Sequence, residues 1–151
     1  MQVFIISTPL ETAMALDPLR LNKQIIECGQ ILDALNGAKA WSNHPCVLQY
    51  WKHQEWLKQY MYCLQHYADC KNPKCEDFHR DYVELHSAKA NFLRPVWHTQ
   101  EYYDQMKRRL YTKNPEYYKQ WAHLGRSDCN WYWSPTENKF IKYVNGKRIW
   151  E

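Results

Sequence analysis

The segment between Asp17 and Gly37 contains a complete set of signals for one long amphipathic helix. Asp17 suits the N-cap position, and Pro18 suits the first helical position, where its missing N–H costs nothing. Gly37 favours an end just after Leu35. Between these limits apolar residues recur every three or four positions, which is the spacing of one helix face. These residues are Leu21, Ile25, Cys28, Leu32 and Leu35. The sequence therefore predicts a helix from about Pro18 to Leu35 with one side facing a core.

Turn residues divide the rest of the chain into shorter segments that also have helical periodicity. The predicted helices cover residues 45–68, 76–92, 98–111 and 115–123. In the first of these, the expected buried positions are Leu48, Trp51, Leu57, Tyr60, Leu64 and Tyr67. Only four glycines are present, which disfavours a barrel or sandwich with many tight turns. We therefore expect a mostly α fold, a compact single-domain helical bundle over residues 1–151.

The two ends of the chain are expected to be different from the bundle. Val3–Ser7 is a short β-branched and aromatic run, either a brief strand or a buried N-terminal arm, and Thr8-Pro9 is interpreted as its stop. The aromatic-rich tail is expected to be irregular. Within it, Asn145-Gly146 is the strongest short signal for a β-hairpin.

The charge is unevenly distributed along the chain. Residues 107–148 contain ten Lys and Arg against three Asp and Glu, whereas residues 1–106 contain ten against twelve. A basic C-terminal third favours a polyanionic partner such as DNA, and a solvated basic surface without a partner is the alternative. No apolar run approaches the roughly 20 residues that span a membrane, and the N-terminus lacks the basic region of a signal peptide. We expect a cytoplasmic protein without a membrane partner.

Six cysteines in such a protein are expected to be free thiols. Cys63, Cys70 and Cys75 lie close in sequence to His66 and His79. Their spacing lacks the Cys-x2-Cys pair of common structural zinc sites. We therefore expect small buried side chains and no metal or cofactor, with a zinc-stabilised helical protein as the alternative.

A second, polar stripe runs along the predicted helix and consists of Arg20, Lys23, Glu27 and Gln30. At 100° per residue it lies about 140° from the apolar stripe. Arg20 and Lys23 can bind phosphates, Gln30 is a further candidate for DNA contact, and Glu27 can serve acid–base chemistry. The alternative is a solvated ion pair of about 0.3–0.5 kcal/mol.

Other candidate residues lie outside this stripe. His44 precedes a proline, where its ring can fix a helix start or contact DNA. His86 can contact phosphate or donate a proton, and a structural use is equally consistent with its position. Arg108, Arg109 and Lys147 are interpreted as DNA contacts, which position a duplex without reading its sequence.

The stretch Leu16–Leu32 resembles the first long helix of the pyrimidine-dimer DNA glycosylase family, of the phage endonuclease V type. Further short matches are Asn43-His44-Pro45, His86-Ser87, Arg108-Arg109-Leu110-Tyr111 and Tyr143-Val144-Asn145-Gly146-Lys147. Together these segments touch most of the chain.

The resemblance implies a DNA-repair enzyme, expected to be a monomer, that acts on damaged or modified pyrimidines in double-stranded DNA. Family members use the N-terminal α-amine as the nucleophile on the nucleotide's sugar and form an imine linked to DNA. A helix glutamate assists, and Glu27 occupies the matching place. The imine permits β-elimination, so one site has both glycosylase and abasic-site lyase activity.

Three positions depart from the family's pattern. The phage enzyme exposes a threonine amine after losing its initiator methionine, whereas the bulky Gln2 favours retention of Met1. The nucleophile is then the amine of Met1, another amine such as that of Lys23, or absent. The family's arginine just after the N-terminal residue is missing, and Gln30 stands where the phage enzyme has an arginine. The alternative function is a non-catalytic DNA-binding or host-interaction module of phage origin.

Overall fold

The computed structural model describes residues 1–70 and 77–150, which form six α-helices, a 3₁₀ helix and one sheet. The helices are α1 (Pro9–Ala15), α2 (Pro18–Leu35), α3 (Pro45–Gln49), α4 (Gln54–Cys70), α5 (Asp77–Phe92) and α6 (Gln100–Lys113). The 3₁₀ helix covers Lys119–Leu124, and the strands are β1 (Asn130–Ser134), β2 (Lys139–Val144) and β3 (Lys147–Ile149). Helix α4 packs against α1, α2 and α5, whereas α3 and α6 contact β1. The mostly helical fold is confirmed.

Helix α2 has the bounds that the sequence predicts. The Asp17 carboxylate accepts a hydrogen bond from the Arg20 N–H at 3.4 Å and so caps the first turn. The Tyr118 hydroxyl donates to the same carboxylate and accepts from the Asp17 N–H at 2.9 Å. These contacts fix the start of α2, and its apolar stripe faces the core with Leu21 and Cys28 fully enclosed.

The prediction of one continuous helix over residues 45–68 is wrong. Helix α3 ends at Gln49 and α4 begins at Gln54, so the helical register is lost between them. Tyr50 is consequently buried and stacks on Trp56, with ring centroids 5.3 Å apart. Trp51 and Leu48 are 58% and 44% exposed, against the prediction. Beyond the break, Leu57, Tyr60 and Leu64 are buried as predicted.

Helix α1 was not predicted, because Thr8-Pro9 was interpreted as a stop. The structure shows the opposite: the Thr8 hydroxyl accepts from the Glu11 N–H at 3.2 Å, and Pro9 is the first helical residue. A capping side chain followed by proline begins a helix here for the same reason as at Asp17.

The first residues form a buried arm rather than a strand, which settles the two alternatives. The arm's backbone groups are satisfied by side chains from the helices. Phe4 donates its N–H to Gln24 Oε1 at 2.8 Å, and Gln24 Nε2 donates to the Gln2 carbonyl at 2.7 Å. The Tyr60 hydroxyl donates to the Phe4 carbonyl. Buried backbone groups need such partners, and the bundle supplies them without a neighbouring strand.

The tail that we expected to be irregular is a three-stranded antiparallel sheet in the order β1-β2-β3. The predicted hairpin is confirmed at Asn145-Gly146, whose φ angles of 51° and 76° lie in the left-handed region. This two-residue turn pairs Val144 with Lys147. The inward side of β1 includes Tyr132 and Ser134, both buried.

Two other expectations concern metals and membranes. Cys63 is buried on α4 and Cys70 is partly buried at its end. Cys75 lies outside the described residues, as does the side chain of His79, so the zinc alternative remains a hypothesis. Within 1–70 and 77–150, no helix is both long and apolar enough to cross a membrane.

His98 is enclosed by aromatic rings at the start of α6. Its ring centroid lies 4.6 Å from that of Trp56 and 4.5 Å from that of Trp97. Its Nε2 lies 3.1 Å from the Tyr50 hydroxyl. Burial lowers the pKa of His98 well below 6.5, and the charges of His53 and Arg94 act in the same direction. The ring is therefore neutral in the folded protein at neutral pH.

We expect the protein to lose stability as the pH falls below about 6.5. In that range the unfolded chain protonates His98 and the folded chain does not, so unfolding is favoured by up to about 1.4 kcal/mol per pH unit. Urea unfolding between pH 7.5 and 5 measures this slope. His98→Gln should flatten it, whereas replacement of the exposed His123 by Gln should not. If the slope in His98→Gln equals that of the wild type, His98 is not the source of the pH dependence.

Candidate active site

The N-terminal arm, α2, the end of α6 and β1 enclose a small cavity of about 80 Å³. The arm contributes Met1, Gln2 and Phe4, and α2 contributes Arg20, Lys23, Gln24 and Glu27. The far side is formed by Arg109, Lys113 and Asn130. The structure thus brings four elements to one site, and the chain's first residue is part of its lining.

Among the residues that the structure describes, Glu27 is the one acid that lines this cavity. Its Oε2 accepts a hydrogen bond from the Gln2 N–H at 3.3 Å and another from Gln24 Nε2 at 3.3 Å. The carboxylate is partly buried, and Gln2, which donates to it, is the residue that follows Met1. An acid and an amine in one small cavity form a pair that can exchange protons with a bound substrate.

Met1 is held at the cavity from two sides. The Tyr132 hydroxyl, on β1, donates to the Met1 carbonyl at 2.9 Å. On the other side, Gln24 fixes the next residue through the Gln2 carbonyl. Burial raises the pKa of Tyr132, so its hydroxyl remains a donor at neutral pH. The start of the chain is therefore ordered by side chains from α2 and from the sheet.

Four cations surround the acid: Arg20, Lys23, Arg109 and Lys113. Burial lowers the pKa of Lys113, and the neighbouring charges of Arg109 and Arg20 lower it further. Burial likewise lowers the pKa of Arg109, whose Nη1 donates to the Ser127 carbonyl at 2.8 Å. An excess of positive charge in a partly desolvated site favours an anionic ligand such as a phosphate group.

His44 has the helix-capping role that its place before proline suggested. Its Nδ1 accepts a hydrogen bond from the Cys46 N–H at 3.0 Å, and α3 begins at the next residue, Pro45. Its ring meets that of Tyr132 edge-on at 5.6 Å. Burial lowers the pKa of His44, and so does the charge of the N-terminal amine. His44 is thus near the site without lining the cavity, and its contact with DNA remains a prediction.

Four more candidates lie outside the cavity lining. Gln30 is exposed on α2, and Lys147 is exposed at the start of β3. Arg108 donates its Nε to the Leu124 carbonyl at 3.0 Å. His86 lies between α4 and α5, with Nδ1 2.6 Å from the Gln59 Oε1. Their DNA contacts also remain predictions.

Sequence reasoning missed Gln24, Lys113, Asn130 and Tyr132. The sequence does contain a signal that places Lys113 near Arg109. Lys113 follows Arg109 by four positions, so the two residues share one helix face. The predicted helix ended at residue 111 and excluded it. Gln24 lies between the two stripes of α2, and nothing in its spacing indicates a buried clamp. The other two lie more than a hundred residues from the arm, so only the folded chain brings them to it.

A larger groove of about 410 Å³ lies between α3 and the sheet, and Trp51, Trp133 and Tyr143 are among its lining residues. The acid that lines it, Glu137, forms an ion pair with Arg148 at 2.8 Å. Within the described part of the chain, the larger groove therefore has no acid in its lining other than this paired one, and the smaller cavity is the candidate active site.

A family model described as pyrimidine dimer DNA glycosylase matches residues 1–81, which is more than half of the chain. The matched range includes Met1, Gln24 and Glu27 but ends before the residues on the far side of the cavity. No curated protein matches the chain. No solved structure matches it either.

Proposed function

Since the chain belongs to the pyrimidine dimer DNA glycosylase family, we propose that it excises a damaged pyrimidine from double-stranded DNA and then cleaves the strand at the abasic sugar. The observation that carries the proposal is the 3.3 Å hydrogen bond from the Gln2 N–H to Glu27 Oε2. Because of this bond, the carboxylate lies next to the residue that bears the α-amine, inside a cationic cavity.

In the first step the neutral amine of Met1 attacks C1′ of the damaged nucleotide. The bond from C1′ to the base breaks, and the base leaves with the electron pair and takes a proton from solvent. Glu27 stabilises the positive charge that develops on the sugar. The carboxylate then accepts a proton from the new C–N centre and passes it to the ring oxygen as the C1′–O4′ bond opens, which gives an iminium ion.

The second step uses the iminium ion to cleave the strand. The positive nitrogen acidifies the C2′–H, and in the proposed mechanism Glu27 removes that proton. The C3′–O bond then breaks, and the 3′ phosphate leaves with the electron pair. Water hydrolyses the remaining imine and releases the amine for another turnover. An α-amine suits this chemistry because it loses its proton more readily than a lysine amine does.

The four cations of the cavity are expected to bind the phosphates that flank the lesion. Arg20 and Lys23 approach from α2, and Arg109 and Lys113 approach from α6, so a strand can be held from two sides. The sugar becomes accessible only when the duplex is distorted. This distortion costs a few kcal/mol and is cheapest at damaged sites. Phosphate contacts offset that cost without reading the sequence.

Borohydride trapping tests the proposal, after an intact-mass measurement has shown whether Met1 is retained. With a duplex containing one abasic site, we expect a covalent protein–DNA adduct whose peptide map shows the link at the N-terminal residue. An N-terminal extension of two residues should eliminate this adduct, whereas Lys23→Arg should retain it. An adduct that maps to Lys23 would assign the nucleophile to that side chain. If no adduct forms but salt-sensitive duplex binding remains, the chain is the non-catalytic binding module.

A further inference from the structure

Asn130, the first residue of β1, brings an unsatisfied acceptor to the candidate active site. It lines the cavity, and its Oδ1 is buried without a hydrogen-bond donor among the described residues. Burial of an acceptor without a partner destabilises a protein, so such an atom in a folded chain needs an explanation.

Two side chains near the start of β1 use donors to hold the backbone there. Gln105 Nε2 donates to the Cys129 carbonyl at 2.6 Å and to the Ser127 hydroxyl at 2.9 Å. Arg109 Nη1 donates to the Ser127 carbonyl. These donors fix the backbone before β1, whereas Asn130 Oδ1 and Arg109 Nε are both buried without a partner among the described residues.

The reaction generates the donor that this acceptor lacks. After attack on C1′ the amine nitrogen is positively charged and carries N–H groups, and the iminium ion carries one N–H. Four of the side chains that line the cavity are cations, which cannot accept a hydrogen bond. Glu27 can accept one. Gln24 Oε1 already accepts from the Phe4 N–H, whereas Asn130 Oδ1 is unoccupied.

The strand that contains Asn130 already contacts the residue with the amine. Tyr132, two positions further along β1, donates to the Met1 carbonyl, and residues two apart on a strand lie on the same face. We propose that Asn130 is a further catalytic residue of this site, whose side-chain carbonyl accepts a hydrogen bond from the reacting amine and from the iminium ion. This inference rests on the proposed function.

Asn130→Leu tests the inference, because leucine has a similar size and no acceptor. The single-turnover rate of borohydride trapping on a saturating abasic-site duplex should fall at least about tenfold. The thermal midpoint and the duplex affinity should not fall, because the carbonyl makes no contact in the free protein that the substitution removes. Asn91→Leu, at an exposed position of α5, is the matched control and should trap at the wild-type rate.

Asn130→Asp provides a second readout, which a purely structural residue would not change. A carboxylate at this position favours the protonated form of the amine, so the pH profile of the trapping rate should move to higher pH. A wild-type rate in Asn130→Leu together with an unmoved profile in Asn130→Asp would overturn the inference. If the wild-type protein forms no adduct at all, the proposed function itself fails. If the wild-type protein traps normally and both variants behave like it, only the role of Asn130 is ruled out.

Discussion

Glu27→Gln should lower the rate of glycosidic bond cleavage by about 10²–10⁴-fold while the protein stays folded, because the substitution removes the charge and the proton carrier of the proposed mechanism. The glutamine carbonyl can still accept from the Gln2 N–H and from Gln24 Nε2, so both contacts of the carboxylate can be preserved. A single-turnover assay on a duplex with one pyrimidine dimer measures the loss. Thermal unfolding of the same preparation verifies the fold.

The matched control for this prediction is Asp33→Asn. Asp33 is exposed near the end of the same helix and does not line the cavity, and its substitution changes the net charge equally. We expect it to cleave at the wild-type rate. Duplex affinity in Glu27→Gln should be unchanged or higher, because a negative charge has left a cationic site. If Glu27→Gln is as active as Asp33→Asn, the carboxylate has no part in the reaction.

Gln24→Leu should destabilise the protein by about 2–4 kcal/mol, because it leaves the Phe4 N–H and the Gln2 carbonyl buried without partners. Gln24 is 1% exposed and has hydrogen bonds to both groups, at 2.8 and 2.7 Å. Urea unfolding at 25 °C measures the change. At roughly 2–4 °C per kcal/mol, the thermal midpoint should fall by about 5–15 °C.

Gln30→Leu is the control for Gln24→Leu, because it makes the same substitution on an exposed position of the same helix. Its free energy of unfolding should stay within about 0.5 kcal/mol of wild type. At a temperature where both variants are folded, and with saturating duplex so that a lost DNA contact does not limit the rate, only Gln24→Leu should trap abasic DNA more slowly, because the arm then positions Met1 less well. Equal stability of the two variants would mean that Gln24 does not hold the arm.

Local sequence signals predicted the exact bounds of some secondary-structure elements and missed other elements. The bounds of α2 and the hairpin at Asn145-Gly146 were correct, because a capping side chain, a proline and a two-residue turn act on their immediate neighbours. The break after Gln49 was missed, because a helical repeat continues through it in the sequence. There the burial of Tyr50 against Trp56 decides the path of the chain. Helix α1 was missed although its capping signal was present.

The sequence by itself determined the long helix and the polar stripe that contains Glu27, since a periodicity of 3.6 residues fixes which side chains share a face. Only the tertiary structure decided that Met1 lies beside that stripe. The arm is held by Gln24 and by Tyr132, the latter 131 residues away along the chain. Asn130 comes to the same cavity with β1. The spacing of residues in the sequence does not indicate such contacts, because they depend on how the sheet packs against the helices.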